Sequence, residues 1–208
     1  MKKLYSELSP KDLSRYSRFM SSVLRHNASA HRLEMDPDGG VKLADFAKLP
    51  RFNNELSDPA DVILKIVQYD NKKRYSIYKK AQGDFIRANQ GHSIKLSEPP
   101  LRRVTSSTEI PVAVHGTFLD KWEKIKMLGL SRMNRQHIHL SPGMPGNSGV
   151  ISGMRSNATV FIFIDTKKAL DDSIPFFISD NNVILTPGNQ DGLLPSTYFQ
   201  RVEFANKK

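Results

Sequence analysis

The sequence predicts an α+β protein built in two parts. Three observations carry this reading. Residues 1–96 hold three apolar-periodic stretches, each opened by a helix start, followed by two short alternating runs. Residues 97–111 gather Pro99, Pro100 and Pro111 among serines and threonines, the composition of a linker. Residues 112–208 carry several short strand-like runs with few helices. The 208 residues suffice for one large or two small domains.

Ser9-Pro10 with Asp12 opens the first helix: a capping serine, a proline in the first turn and an acid near the positive end of the helix dipole. Leu13, Tyr16, Met20, Val23 and Leu24 share one face, and Arg25-His26 close the helix. Leu43, Phe46 and Ala47 predict a short second helix that stops before Pro50. Ser57, Asp58 and Pro59 open a third, with Val62, Ile63 and Ile66 inward. Residues 74–78 and 85–88 read as strands joined by a turn at Gln82-Gly83-Asp84. Three helices followed by a β-hairpin describe a winged helix, a common nucleic-acid-binding module.

Beyond the linker, residues 112–115 read as a strand. Residues 119–128 read as an amphipathic helix with Trp122, Ile125 and Leu128 inward, ended by Gly129. Residues 137–141, 158–165, 175–179, 183–186 and 198–204 read as further strands, and 142–147 as a loop. Along residues 137–141, Ile138 and Leu140 face a core, while His137, His139 and Ser141 face water or a cleft.

Lys and Arg number 31 against 21 Asp and Glu, a formal charge of +10. That balance favours a polyanionic partner, nucleic acid first and an anionic membrane surface second. A merely basic solvated surface gives the same count. The absence of cysteine excludes disulfides, thiolate nucleophiles and cysteine-bound zinc. No apolar run follows the N-terminal Met1-Lys2-Lys3-Leu4-Tyr5, and no segment approaches bilayer-spanning length. An intracellular protein, cytoplasmic or nuclear and not secreted, is expected, with no membrane partner.

Every histidine except His31 sits in a short cluster of phosphate-binding residue types, and none of these clusters contains a carboxylate. They read Arg25-His26, Arg87-Ala88-Asn89-Gln90-Gly91-His92-Ser93, His115-Gly116-Thr117 and His137-Ile138-His139-Leu140-Ser141. Arginine offers a planar fork matching a phosphate, and histidine adds a donor or proton carrier near neutral pH. Gly116 would let a flat ligand approach the backbone. Each cluster alone also has an ordinary reading. Cations at a helix C-terminus complement its dipole, the turn after Arg87 can be held by its own side chains, and Arg155 can be a loop arginine. His137 and His139 have no third ligand nearby, so no metal is expected.

Taken together and in this order, the clusters resemble the RNA (tRNA) 2′-phosphotransferase family. Leu24-Arg25-His26, the run from Arg87 to Ser93, and His115-Gly116-Thr117 look like family motifs. So do Gly129-Leu130 with Met133, the run from His137 to Ser141, Ser152-Gly153-Met154-Arg155, and the stretch from Ser179 to Pro187. The resemblance covers roughly residues 13 to 204. It implies an N-terminal winged-helix RNA-binding lobe (1–96) and, after the linker (97–111), an ADP-ribosyltransferase-like mixed β lobe that binds NAD (112–208). The implied enzyme is NAD-dependent and removes the splice-junction 2′-phosphate from ligated tRNA. It would act through an RNA 2′-phospho-ADP-ribose intermediate, giving 2′-hydroxyl RNA, nicotinamide and ADP-ribose 1″,2″-cyclic phosphate. NAD is consumed and no metal takes part.

The family's catalytic Arg-His-Arg-Arg set falls on Arg25, His26, Arg87 and Arg155. The resemblance assigns NAD to His115, Gly116, Thr117, His139, Leu140, Ser141, Ser179 and Asn181, and RNA to Arg25, Arg87, Gln90, His92 and Ser93. A phosphate is already ionised at neutral pH, so its attack needs no general base, which suits clusters without carboxylates. The partners implied are 2′-phosphorylated tRNA and NAD, and a monomer is expected. Two departures fall in the first lobe. Asn27-Ala28-Ser29-Ala30 stands where the family often has a proline, and Gly40 precedes Val41 where it often has a tryptophan. Two alternatives stay open: an ADP-ribosyltransferase acting on nucleic-acid phosphate ends, and a non-catalytic RNA-binding protein. A histidine-based ribonuclease is a more distant third.

Overall fold

The computed structural model describes residues 2–146, 150, 154–155 and 157–205. The chain divides into two units, residues 1–99 and 100–208. Helices and sheets are both substantial in it, and the class is α+β.

In the first unit α1 spans Pro10–Ser22. Its start is a reciprocal cap. The Asp12 N–H donates to Ser9 Oγ at 3.1 Å, and the Ser9 N–H donates to the Asp12 carboxylate at 3.2 Å. The helix runs into a π turn, Val23–Asn27. Then follow β1 (Val41–Lys42), α2 (Leu43–Ala47), α3 (Pro50–Glu55) and α4 (Pro59–Gln68). The hairpin β2 (Tyr75–Lys80) and β3 (Gly83–Ala88) ends the series. The sheet order is β1-β3-β2, antiparallel throughout. Tyr16, Met20, Val23 and Leu24 from α1 and the π turn pack with Phe46, Phe52, Ile63 and Ile86 into one core.

Three details differ from the sequence reading. Pro50 opens a fourth helix rather than merely ending a region, because proline is pre-shaped for a first helical position. The two-residue β1 adds a third strand to the hairpin. The hairpin turn is Ala81-Gln82, since Lys80 pairs with Gly83.

The second unit holds β4 (Leu101–Arg103), β5 (Val114–Thr117), α5 (Leu119–Leu128), β6 (Leu130–Ser131), β7 (Ile138–Leu140) and β8 (Val160–Ile164). After these come α6 (Thr166–Asp171), β9 (Phe177–Ser179), β10 (Ile184–Thr186), β11 (Leu193–Leu194) and β12 (Phe199–Phe204). They form sheets ordered β4-β9-β10-β7, β12-β8-β5 and β11-β6. Each of their strand pairs among the described residues is antiparallel. β8 is buried along its whole length, which explains its unbroken apolar run Val-Phe-Ile-Phe-Ile.

The stretch expected as linker is not plain chain. Residues 101–103 pair with Ser179, Ile178 and Phe177, and Ser107–Glu109 form a 3-10 turn. The Thr105 N–H, the Arg102 guanidinium and the Ser106 N–H all bind Glu109 and hold its carboxyl down to about 2. Helix α5 also differs in its packing. Trp122 and Ile125 only partly bury, and Leu128 is 55% exposed.

Candidate phosphate site and nucleotide-binding residues

In the first unit the π turn carries both Arg25 and His26, and it packs against β3, which carries Arg87. The loop after β3 is fastened to the turn. Its Ser93 and Ile94 N–H groups donate to the Arg25 carbonyl at 3.0 and 3.2 Å, and Ser93 Oγ lies 2.9 Å from His26 Nδ1. Gly91 faces the Arg25 side chain, which would stand 3.4 Å from a Cβ there; its φ of +90° also favours glycine. Asn89, Gln90 and His92 are buried. The Asn89 amide donates to the Lys73 carbonyl at 2.8 Å and accepts from Ser76 Oγ at 2.6 Å. Two clusters separated by sixty residues of sequence are thus one constellation of arginine, histidine, serine and amide groups.

A carboxylate does join this constellation, brought by fold rather than by sequence. Asp38 Oδ2 lies 3.3 Å from Arg87 Nη1 and accepts from the Tyr78 hydroxyl at 2.8 Å. Burial alone would raise the Asp38 carboxyl, but Tyr78, the Gly40 N–H, Lys80 and Arg87 together hold it below its ordinary value. Burial and the Asp38 bond push the Tyr78 phenol up to about 12. The Arg87 guanidinium lies 4.8 Å from the centre of the Tyr78 ring. Asp38 is therefore an ionised anchor for an arginine, not a general base. Gly40 makes this possible, since a Cβ at 40 would stand 2.0 Å from the Tyr78 oxygen. No signal in the sequence pairs residues 38, 78 and 87, because their contact depends on the hairpin and the Asp36–Gly40 turn.

In the second unit, His115-Gly116-Thr117 lie on β5 and His139-Leu140 on β7. A bridge joins the two strands: Val114 N–H donates to the Ser141 carbonyl at 2.9 Å and Ser141 N–H to the Val114 carbonyl at 2.8 Å. His115 Nδ1 lies 3.0 Å from the His139 carbonyl. Burial lowers the His115 pKa, against the raising effect of that carbonyl. Ser141, expected to face water or a cleft, is completely buried, and its Oγ has no hydrogen-bond partner among the described residues.

Leu140 is part of the hydrophobic core, as its alternation with His139 predicts. A Cβ on Gly116 would stand 2.8 Å from Met154 Sδ and 3.0 Å from the Ala158 Cβ, so a side chain at this position has no room. Ser179 and Asn181 form the turn between β9 and β10: Ser179 Oγ donates to Asn181 Oδ1 at 2.8 Å and accepts from the Val183 N–H at 3.1 Å. Arg155 is exposed, with its guanidinium 5.6 Å from the Phe118 ring centre. Ser152 and Gly153 lie outside the described residues. Among the described residues no group of three or more His, Cys, Asp or Glu could hold a metal, and no helix is long and apolar enough to cross a membrane.

A family model described as RNA 2′-phosphotransferase, Tpt1 / KptA family, matches residues 11–188. A relative from Schizosaccharomyces pombe is 44% identical over 92% of this chain, which spans about half, 52%, of that protein's length. The tRNA 2′-phosphotransferase 1 of Bos taurus is 45% identical over 88% of this chain and 72% of its own. That of Danio rerio is 42% identical over 91% and 84%. The chain belongs to the RNA 2′-phosphotransferase family, a family of transferases.

Proposed function

We propose that this protein removes a 2′-phosphate from RNA in an NAD-dependent reaction, with ligated tRNA as substrate. Family membership supports the class of reaction. The observation that carries the reading to residues is the fastening of Arg25-His26 to the loop that follows Arg87. Three cationic or proton-bearing side chains from two distant stretches thereby serve one phosphate. Ser93 fixes the His26 ring, Asp38 and Tyr78 fix Arg87, and the two guanidinium groups oppose the charge that builds as the phosphate leaves the ribose oxygen. His26 delivers the proton or hydrogen bond that the departing 2′-oxygen needs. Arg155 is assigned the fourth place by the resemblance.

The residues of the second unit suit NAD. A fully buried hydroxyl without a partner among the described residues, Ser141, stands beside a strand pair carrying His115, Thr117 and His139, and these four would hold the nucleotide. Bound NAD supplies an electrophilic ribose carbon with nicotinamide as leaving group and a neighbouring hydroxyl that accepts the phosphate. By this reading the first unit is a winged-helix RNA-binding lobe (1–96), its order α1, β1, α2, α3, α4 ending in the β2–β3 wing. The second is an NAD-binding lobe of the ADP-ribosyltransferase type (112–208), the two joined through 97–111.

Incubation with an internally 2′-phosphorylated RNA, with and without NAD and chelator, tests the proposal. Nicotinamide and an ADP-ribose cyclic phosphate should form in equal amounts, only with NAD and equally well in chelator. Free inorganic phosphate as product, or turnover without NAD, would sink it. ADP-ribose retained on the RNA without phosphate transfer would instead mark an end-modifying ADP-ribosyltransferase.

A further inference from the structure

A groove of about 530 Å³ runs along α1 within the first unit, and His26 is among the residues that line it. Ser14, Ser17 and Ser21 face it at helical spacing from α1. Beneath them the buried Tyr75 hydroxyl lies 2.6 Å from Ser21 Oγ and donates to the Ser17 carbonyl at 2.5 Å, which fixes the floor. A flat ring lines it too: Tyr69, just past α4, is 63% exposed and stacks on Tyr5 at a centroid distance of 6.3 Å. Arg18 supplies charge. The acid lining it, Asp70, has only 6% of its side chain exposed and is engaged by the Arg74 guanidinium and N–H. The exposed Lys72 and Lys73 follow Asp70 in the chain.

We propose that this groove holds the run of RNA adjoining the 2′-phosphorylated nucleotide, leading away from His26 along α1. This rests on the function proposed above and extends its substrate site beyond the reacting nucleotide. The chemistry fits a single strand. Bases stack on an exposed aromatic ring, ribose 2′-hydroxyls exchange hydrogen bonds with serine hydroxyls that both donate and accept, and phosphates meet guanidinium groups. Ser14 and His26 stand about 18 Å apart along a helix rising 1.5 Å per residue, room for a few nucleotides. The +10 charge of the chain and the masking of the one lining acid by Arg74 favour a polyanion over an acidic or neutral peptide.

The test compares two oligoribonucleotides with the same internal 2′-phosphate, a dinucleotide and a hexanucleotide extended on both sides. Binding to the full chain is read by fluorescence anisotropy without NAD, and turnover of each is measured separately with NAD. The variants are Arg18→Ala, Tyr69→Ala and Ser14→Glu, all at exposed positions. Wild type should bind the hexanucleotide about tenfold or more tighter than the dinucleotide. Each variant should lose about tenfold on the hexanucleotide and nothing on the dinucleotide, consistent with stacking energies per base. Arg18→Ala should also lower the slope of log affinity against log salt by about 0.7, one phosphate contact. Equal wild-type affinity for the two lengths overturns the proposal. So do variants that match wild type on the hexanucleotide, which would leave the groove to a peptide, and variants that weaken both lengths alike. An inert wild type with NAD, by contrast, removes the proposed reaction and leaves the length-dependent binding to be judged by itself.

Discussion

Asp38 and Arg87, forty-nine residues apart, are joined carboxylate to guanidinium at 3.3 Å, and Tyr78 donates to the first while its ring packs on the second. An arginine held on one edge by a carboxylate and on one face by a ring has few orientations left. In the function proposed above, an arginine so held meets the phosphate with little reorganisation.

Asp38→Asn keeps the size of the anchor and removes its charge. Turnover should fall on the order of 10-fold, short of the 10²-fold that outright misplacement can cost, with little change in melting temperature. Unchanged kcat would show that Arg87 needs no anchor. Gly40→Ala attacks the same device sterically, because the new methyl would occupy the place of the Tyr78 hydroxyl. Overpacking of this kind costs about 1–3 kcal/mol, and urea unfolding should report it.

Arg87→Ala and Arg155→Ala should slow phosphate transfer more than nicotinamide release. Nicotinamide is a good leaving group and the phosphate a preformed nucleophile, whereas expelling the RNA oxygen builds more charge. Removing one placed donor to such a state costs about 10²- to 10³-fold. An RNA–ADP-ribose adduct should therefore accumulate, visible by gel shift or mass spectrometry. If both variants run both steps at wild-type rate, these arginines are misassigned.

Ser141→Ala separates ligand binding from stability. The buried hydroxyl without a partner costs the folded protein something, so its removal should leave thermal stability unchanged or raised by about 1 kcal/mol. The KM for NAD should meanwhile rise about tenfold, one hydrogen bond's worth. A stability loss with an unaltered KM would place Ser141 in the scaffold alone.

His137 gives the second unit a dependence on pH. Burial first, and Arg132 second, lower its pKa to about 4, and its ring sits edge-on to Phe177 at 5.8 Å. From pH 6.5 down to 4 the unfolded chain takes up a proton here that the folded chain refuses, so stability falls as pH falls through that window. The loss is on the order of 2 kcal/mol after screening. Melting temperatures at pH 7 and 4.5 should differ less in His137→Asn than in wild type, and an equal drop would discharge His137.

The sequence made some of this legible and hid the rest for identifiable reasons. The cap at Ser9 and Asp12, the inward set Val62, Ile63 and Ile66, and the strands around residues 160–164 and 199–204 are local or periodic features, and the structure has them. Helix α3 was hidden because Pro50 reads as a stop, and β1 and β4 because two or three residues carry no period. Met154 over Gly116 and Asp38 on Arg87 are long-range contacts, visible only once strands and turns are placed. Arg25-His26 and the 87–93 run were legible as residue types. Their fastening through Ser93 and the Arg25 carbonyl was not.

The π turn at Val23–Asn27 bears on how this sequence can drift over generations. A π turn holds one residue more than the α-helical ladder allows. Deleting a single residue there would restore the ordinary ladder and swing its neighbours by about 100° around the axis. Arg25 and His26 would then point elsewhere with every side chain intact, and the Arg25 carbonyl would return to its own helix instead of receiving the 93–94 amides. Apart from Arg25 and His26, changes of spelling in this stretch should thus be accepted more readily than changes of length, and a one-codon, in-frame deletion should be as damaging as the loss of both side chains.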